Sequence, residues 1–338
     1  MKRLFTFVPI VCMSAALAFE NGTKETTPSS TSASGTGKKY TINVASTFAP
    51  EGAIHEVIVK FKENVETRSN GRIKVAIQPS GALGGEREIV EGMSNGTIEM
   101  GAQGVMDLTL YAPELMVFEE PFVIRDLNHL NKFWSTLGEE INEKSEAKTG
   151  IITATYVIRG ARVVTANKEI KTPGDLKGLK FRLPSMPVRV KVFEAMGAIP
   201  TIVDFPEVYM ALKTGTVDAQ ENPPETIYSY KYYEAQKYLI LTNHVFSTAR
   251  YQISKKWFDQ QTKEDQDLLL QAWKDAGKEI RAKIPDPDAF YIEELKKKGM
   301  TVIQPDGKAF RDAAMPVMDE FDRKGQWEAG LRDKIMKL

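Results

Sequence analysis

Three short segments in the middle of the chain carry residue types that could bind an anion. Arg162 stands at the edge of one predicted strand and Arg182 within another, while Asn222 precedes two prolines that exclude a helix. A guanidinium can donate two parallel hydrogen bonds to one carboxylate, and each bond to a charged group contributes about 1.5–3 kcal/mol. Micromolar binding needs about 8.2 kcal/mol. One such arginine could therefore supply a large part of the affinity for an organic acid.

The residues around Arg182 separate this side chain from the predicted core. Side chains alternate along a strand, so Leu179, Phe181 and Leu183 share one face and Arg182 points to the other. A lone arginine on a strand is nevertheless more often part of a solvated face or of a surface ion pair worth under about 1 kcal/mol. From the local pattern alone, both interpretations of Arg182 stay open.

The chain lacks the motifs of the common enzyme classes. Its three histidines, His55, His129 and His244, are too scattered for a local metal motif, and Cys12 is its only cysteine. There is no nucleophile elbow and no phosphate-binding loop. The glycine-rich residues 81–85 could bind an anion at a helix start, but a plain turn is the favoured interpretation. We therefore predict no enzyme activity, no metal and no cofactor.

Length and charge limit the classes of protein and partner. A chain of 338 residues is too long for one comfortable core, so two domains are expected. The 45 Lys and Arg residues balance the 45 Asp and Glu residues, and nothing in the net charge favours nucleic acid or an anionic membrane surface. Any recognition of charge must therefore be local.

The N-terminus predicts an exported protein. Two basic residues precede the apolar run 4–18, which is too short to span a membrane and ends in a small-residue step. We predict a signal peptide cleaved after Ala18, with lipidation of Cys12 as the alternative. A flexible Ser/Thr/Gly-rich tether, residues 19–38, follows. In both cases the mature protein lies outside the cytoplasm.

Apolar periodicity alternates between strand and helix along the mature chain. The predicted strands are residues 40–45, 73–77, 98–102, 151–157, 163–164 and 179–183. The predicted helices are residues 51–69, 86–95 and 188–196, and helical character dominates after residue 263. Pro285 and Pro287 should interrupt this last region. The alternation is typical of two α/β domains with largely parallel sheets.

From about Lys39 onward, the chain resembles the periplasmic solute-binding proteins of tripartite ATP-independent periplasmic (TRAP) transporters, the DctP family. The resemblance rests on residues 79–87, 160–162, 172–184, 205–212, 220–223, 236–238 and 242–244. It implies a two-domain α/β fold of the type II periplasmic binding protein class, with the ligand cleft between the domains and a hinge-bracing helix. Domain I would comprise residues 39–159 and 248–287, and domain II residues 160–247 and 288–338.

The resemblance also implies roles for particular residues. The arginine that pairs with the ligand carboxylate in that family corresponds to Arg182. Arg162 and Asn222 would assist it, and Phe205 would line the pocket. Arg159 cannot share a face of a regular strand with Arg162, so we assign the cleft to Arg162.

Ligand and partners follow from the same resemblance. Residues that recognise hydroxyl groups are expected near Gln103, Glu86 and Glu51, and the absence of an acidic residue near Gln103 argues against sialic acid. The expected ligand is a sugar acid, such as a uronate or an aldonate, which a monomeric protein would deliver to the small and large membrane subunits of the transporter. The alternatives are a C4-dicarboxylate or 2-oxo acid ligand, or an exported enzyme acting on acidic sugars.

Overall fold

A computed structural model describes residues 38–284 and 286–338. The predicted signal peptide, the tether through residue 37 and the lipidation alternative at Cys12 fall outside these ranges. Within the described ranges, every helix is too short or too polar to cross a membrane.

The described chain alternates between strands and helices. The strands are β1 Tyr40–Ser46, β2 Ile73–Gln78, β3 Met100–Gln103, β4 Ile151–Ala166, β5 Lys180–Leu183, β6 Ile199–Ile202, β7 Ala219–Asn222, β8 Tyr238–Ser254 and β9 Thr301–Ile303. The α-helices are α1 Ala53–Arg68, α2 Glu86–Asn95, α3 Met106–Tyr111, α4 Leu127–Thr136, α5 Gly138–Thr149, α6 Pro187–Ala195, α7 Val208–Lys213, α8 Pro224–Ser229, α9 Lys255–Phe258, α10 Lys263–Lys283, α11 Pro287–Lys297, α12 Gly307–Arg323 and α13 Leu331–Met336. Short 3-10 helices span Pro113–Glu119, Pro173–Leu176, Phe205–Glu207 and Tyr232–Glu234.

These strands form one continuous sheet in the order β2-β1-β3-β8-β4-β7-β5-β6, with β9 also paired to β8. We call strands β1 to β3 the β1 side and strands β5 to β7 the β5 side. Pairing within each side is parallel, as predicted. The central pair, β4 with β8, is antiparallel, and so are its junctions with β3 and β7. The prediction of largely parallel sheets was therefore wrong for the centre.

Strand β4 is one strand of 16 residues, although the sequence pattern predicted two short ones. It runs beside the 17 residues of β8, and the pairing shifts register at three places, one of them between Ile158 and Gly160. Such bulges absorb an extra residue without ending a strand. Residues 158–162 lack period-two alternation for this reason and still belong to β4.

On the β1 side, helices cover both faces of the sheet. Helices α1 and α10 pack on one face, where Phe61 stacks on Trp273 with ring centroids 3.7 Å apart. Trp273 is completely buried. Apolar residues of α2, including Ile89 and Met93, cover the opposite face.

On the β5 side, Phe181 of β5 stacks on Phe193 of α6 with centroids 4.4 Å apart, and α12 packs in the same apolar cluster. That cluster also contains residues from the 105–141 region, so its packing crosses the domain boundary expected at residue 159. The division into domains I and II stays a prediction.

The predicted interruption near the prolines is confirmed. Helix α10 ends at Lys283 and α11 begins at Pro287, a position where the missing N–H of proline is not needed. The side chain of Asp286 accepts a hydrogen bond from the backbone N–H of Ala289, at 3.1 Å, and so caps α11. The bracing helix expected from the resemblance is thus divided into two helices here.

Candidate ligand-binding site

A cleft, partly open to solvent, lies between the β1 side and the β5 side, against the central strands. Five of the predicted site residues line it together: Arg182, Arg162, Asn222, Phe205 and Glu86. Its lining also contains Arg159, Arg189, Glu119 and Thr248, to which the sequence analysis gave no place in the cleft.

Arg182 stands on β5, whose neighbouring residues Phe181 and Leu183 are buried in the apolar cluster behind it, as the alternation predicted. Its Nε donates to the carbonyl oxygen of Val203 at 2.9 Å. In the part of the chain that the structure describes, no carboxylate oxygen lies within 4.0 Å of its guanidinium nitrogens. The side chain is only 2% exposed, and burial lowers the pKa of Arg182. Arg182 is therefore a buried cation without a counter-ion from those residues.

Arg162, on β4, is held quite differently. Its Nε and Nη2 donate to the carboxylate of Glu221, and Nη2 also donates to the Glu221 carbonyl oxygen at 2.7 Å and to Oδ1 of Asn222 at 3.0 Å. These contacts follow from the antiparallel pairing of β4 with β7, in which Val163 faces Asn222. The guanidinium of Arg162 is thus engaged by the fold itself.

Glu221 is the centre of a buried network. Burial alone would raise the pKa of this fully buried carboxyl, but Arg162, Arg189 and a hydrogen bond from His244 hold it well below its usual range. Nη1 of Arg189 lies 3.5 Å from one Glu221 oxygen, and Nε2 of His244 lies 3.1 Å from the other. Glu221 is therefore ionised and neutralises the cations around it.

A second carboxyl, Glu119, extends this network to β8. Its Oε1 accepts from the backbone N–H of Thr248 at 3.0 Å, and Nη2 of Arg189 donates to its carbonyl oxygen at 2.8 Å. Burial raises the pKa of Glu119. Sequence reasoning missed Arg189 and Glu119, because helix α6 and the 3-10 helix that carry them show no motif. The local signal was weak, since Arg189 stands between two valines and Glu119 follows the apolar run 115–118.

Asn222 is completely buried and uses both ends of its amide inside the protein. Its Nδ2 donates to Oε1 of Gln220 at 2.7 Å, and its Oδ1 accepts from Arg162. This arrangement fixes the amide beside the guanidinium of Arg162. Asn222 therefore orients one wall of the cleft.

Two predicted positions, Gln103 and Glu51, are not among the residues that line the cleft. Gln103 is buried on β3 and donates from Nε2 to Oε1 of Gln252 at 2.9 Å, so its side chain belongs to a polar cluster between strands. Glu51 is exposed, just before α1. Glu86 does line the cleft, and its Oε1 accepts from the backbone N–H of Gly104 at 3.3 Å. Of these three predicted positions, Glu86 alone lines the cleft.

Phe205 connects the two sides of the cleft. Its ring meets Phe48 edge-on, with centroids 6.3 Å apart, and Tyr230 edge-on at 5.0 Å. The hydroxyl of Tyr230 donates to the carbonyl oxygen of Thr47. Close by, Gly81 lies so near Pro206 that a Cβ there would stand 2.8 Å from the proline ring. The β1 side and the β5 side therefore touch at the rim of the cleft.

Arg159 also lines the cleft, so its exclusion on grounds of strand geometry was wrong. The register shift between Ile158 and Gly160, with φ of +98° at Gly160, breaks the alternation on which that exclusion depended. Residues 159 and 162 consequently reach the same cavity. A side chain at Gly160 would collide with the carboxylate of Asp288, which accepts from the backbone N–H of Ala161 at 2.8 Å. Glycine is thus required at this bulge.

Comparison with known proteins relates the chain to bacterial solute-binding proteins. Residues 44–324 match the DctP family, described as bacterial extracellular solute-binding protein, family 7. Among curated relatives, the 2,3-diketo-L-gulonate-binding periplasmic protein YiaO of Escherichia coli is 34% identical over 77% of this chain and 80% of its own length.

Solved structures agree in fold. A TRAP periplasmic solute-binding protein from Roseobacter denitrificans with bound L-galactonate is 30% identical, with a TM-score of 0.82 over 89% of this chain and 98% of its own. A similar protein from Pseudomonas putida with bound D-glucuronate is 28% identical, with a TM-score of 0.82 over 88% of this chain and 97% of its own.

Proposed function

Because the chain belongs to the DctP family of bacterial extracellular solute-binding proteins, we propose that it captures a small sugar acid in the periplasm and delivers it to the membrane subunits of a TRAP transporter. The observation that carries this proposal is Arg182, a buried guanidinium on the cleft wall with no carboxylate from the described residues beside it. An ion buried alone is costly, and an anionic ligand would compensate it.

The ligand carboxylate binds the free edge of the Arg182 guanidinium, since Nε is already engaged by Val203. The free Nη groups can then donate in parallel to the two carboxylate oxygens. Arg162 and Asn222 line the same cavity as a rigid polar wall, and Glu86 offers an acceptor to hydroxyl groups. A ligand with a carboxylate for Arg182 and several hydroxyls suits this combination, as sugar acids do, and relatives with bound L-galactonate and D-glucuronate support this class.

Capture couples to closure of the cleft. The contacts of Phe205 with Phe48, and of Tyr230 with Thr47, join the two sides at the rim. When they form, water leaves the ion pair between ligand and Arg182, and the pair strengthens because the local dielectric constant falls. Closure also creates the surface that the membrane subunits would recognise. Small-angle scattering should show compaction when the ligand is added, and an unchanged profile would contradict this step.

A thermal-shift screen against uronates, aldonates, C4-dicarboxylates and 2-oxo acids tests the proposal. A micromolar ligand in hundredfold excess over its Kd stabilises the folded state by about 2.7 kcal/mol, which is readily seen. We expect the largest shift with a sugar acid. A larger shift with a C4-dicarboxylate or 2-oxo acid would favour that class instead, and a flat response across the panel would contradict the proposal.

The same samples distinguish a binding protein from an enzyme. We propose that the chain has no catalytic function, so mass spectrometry of the ligand after long incubation should return it unchanged. Conversion of the acid, abolished by substitution of a cleft carboxyl such as Glu86 or Glu119, would instead identify an exported enzyme.

A further inference from the structure

The charges that line the cleft are unequally compensated. Of its four arginines, Arg162 is paired with Glu221, and Arg189 lies 3.5 Å from Glu221 and 4.0 Å from Glu119. Arg182 and Arg159 differ, since no carboxylate oxygen of the described ranges lies within 4.0 Å of either guanidinium. A ligand in this cleft could therefore compensate the charges of both Arg182 and Arg159.

These two cations belong to different strands, Arg159 to β4 and Arg182 to β5. Arg182 belongs to the β5 side and donates to Val203. The guanidinium of Arg159 leans to the β1 side, 5.1 Å from the ring centroid of Phe48, and a Cβ at Gly104 would lie 3.8 Å from its Nη1. A ligand whose carboxylate is held by Arg182 would therefore extend toward Arg159.

Arg159 is held in place but not saturated. Its Nη2 donates to Oγ1 of Thr226 at 3.0 Å, while its buried Nε has no partner within the part of the chain that the structure covers. The side chain is 5% exposed. The bulge at Gly160, supported by Asp288, fixes the direction in which this side chain leaves β4. Nη1 lies beside Gly104 on the cleft lining and forms no hydrogen bond with the described residues, so it can donate to an anion in the cleft.

Two carboxyls near Arg159 moderate its charge. Glu225 stands behind it, away from the cleft lining, and burial raises the pKa of this carboxyl to about 7, so a substantial fraction is neutral at neutral pH. Glu86 lies on the cleft side, where its Oε1 accepts from the N–H of Gly104. Neither carboxylate forms an ion pair within 4.0 Å of Arg159. The positive charge of Arg159 therefore remains available to an anion.

We propose that Arg159 is a second ligand-contacting arginine, which selects acids that carry a carboxylate at each end, such as sugar diacids, over the corresponding monoacids. This inference rests on the proposed function, because it assumes that a first carboxylate is bound by Arg182. It makes residue 159 a determinant of specificity, whereas residue 182 determines binding of any acid.

Isothermal titration calorimetry with galactonate and galactarate tests this, because the two acids differ only in the group at one end. The wild-type protein should bind the diacid at least about tenfold more tightly. Arg159→Gln should lower diacid affinity at least about tenfold and change monoacid affinity less than about threefold. Arg159→Lys keeps the charge and should retain part of the preference. Arg281→Gln is the matched control, because Arg281 also contacts β4, at Tyr156, but lies outside the cleft lining, and it should change neither affinity.

Equal binding of the two acids by the wild-type protein, or equal weakening of both by Arg159→Gln, would overturn the inference while leaving the role of Arg182 intact. Binding of neither acid, or binding that survives Arg182→Ala, would overturn the proposed function and this inference with it. Should Arg159→Gln fail to fold, Arg159→Lys and Thr226→Val, which frees the guanidinium, provide the same comparison. Diacid affinity unchanged in both would equally refute the role of residue 159.

Discussion

Arg162 and Arg182 are both buried in the wall of the cleft, yet only the charge of Arg162 is neutralised by a carboxylate of the described residues. The Arg162 guanidinium donates to Glu221 and Asn222, so its charge is compensated within the chain. Around Arg182, the described residues supply one backbone carbonyl and no carboxylate. The contacts of Arg162 stabilise the wall of the cleft, whereas the guanidinium of Arg182 is left available to a ligand.

This difference shows how burial and function can be separated. A buried ion pair whose partners are both internal costs desolvation but is then fixed, so its removal is felt in stability. A buried cation without an internal partner keeps its unfavourable desolvation free energy until a ligand binds, so its removal lowers ligand affinity. Substitutions in the network around Arg162 should therefore lower stability, whereas substitutions of Arg182 should lower ligand affinity.

The largest effect is expected from Glu221→Gln. It leaves the buried guanidiniums of Arg162 and Arg189 without their shared carboxylate, and such a loss costs about 3–5 kcal/mol of unfolding free energy. Urea denaturation measures it. Glu279→Gln, which removes an exposed pairing with Lys60, is the control and should leave the free energy of unfolding nearly unchanged. A loss of less than about 1 kcal/mol for Glu221→Gln would contradict the view that the network around Arg162 stabilises the fold.

Arg182→Ala and Arg182→Lys should act on binding instead. Lysine lacks the planar fork, so both variants should lower affinity for the acid at least about a hundredfold, or about 2.7 kcal/mol. Their stability without ligand should stay equal to the wild type or rise. Calorimetry and urea denaturation measure the two quantities, with Lys180→Ala, an exposed neighbour on β5, as the control. Near-normal affinity in either variant would refute the assignment.

Glu120→Gln extends the comparison to a buried carboxyl. Glu120 is 2% exposed, one oxygen lacks a partner in the described ranges, and burial raises its pKa to about 7. The folded state keeps this proton while the unfolded chain, with a pKa of 4.5, releases it, so its contribution to stability is present below pH 4.5 and is lost as the pH rises through 7. The glutamine variant cannot ionise.

The stability of Glu120→Gln relative to the wild type should consequently increase by about 2 kcal/mol between pH 5 and pH 8. Urea denaturation at both pH values measures this difference. A constant or shrinking difference would show that Glu120 is ionised in the folded protein and has found a cation.

Phe205→Leu should have the smallest effect. It removes the edge-on aromatic contacts with Phe48 and Tyr230, each worth about 0.5–1.5 kcal/mol, but keeps an apolar side chain at the rim. We expect a loss of acid affinity of about threefold to tenfold, measured by calorimetry, because the cleft closes less favourably. Met210→Leu, an exposed position on α7, should leave affinity unchanged. A loss as large as that of Arg182→Ala would mean that Phe205 holds the ligand directly.

Regular elements were the most predictable part of the fold. Helix α2 was predicted at residues 86–95, where it occurs, and strand β1 within one residue, because local periodicity reflects the face that each element buries. The long central strands were much less predictable from the sequence. Strand β4 continues through bulges and is held by pairing with β8, more than 70 residues away along the chain. Long-range pairing leaves little trace in a short window of sequence.

The candidate site divides in the same way. Arg182, Arg162, Asn222 and Phe205 were located through local motifs and resemblance, and all four line the cleft. Arg159 was excluded by a rule for regular strands that a bulge at Gly160 invalidates. Gln103 was expected at the cleft and turns instead to Gln252. Sequence reasoning therefore locates the segments that meet, whereas the irregular backbone decides which side chains point inward.

Strands β4 and β8 join the two sides of the sheet, because β8 pairs with β3, β4 pairs with β7, and the two pair with each other. If either side melted alone, one edge of a central strand would lose its pairing partner, so partial unfolding would expose backbone groups on the remaining sheet. The described chain should accordingly lose its structure in a single cooperative transition, despite having a cavity at its centre.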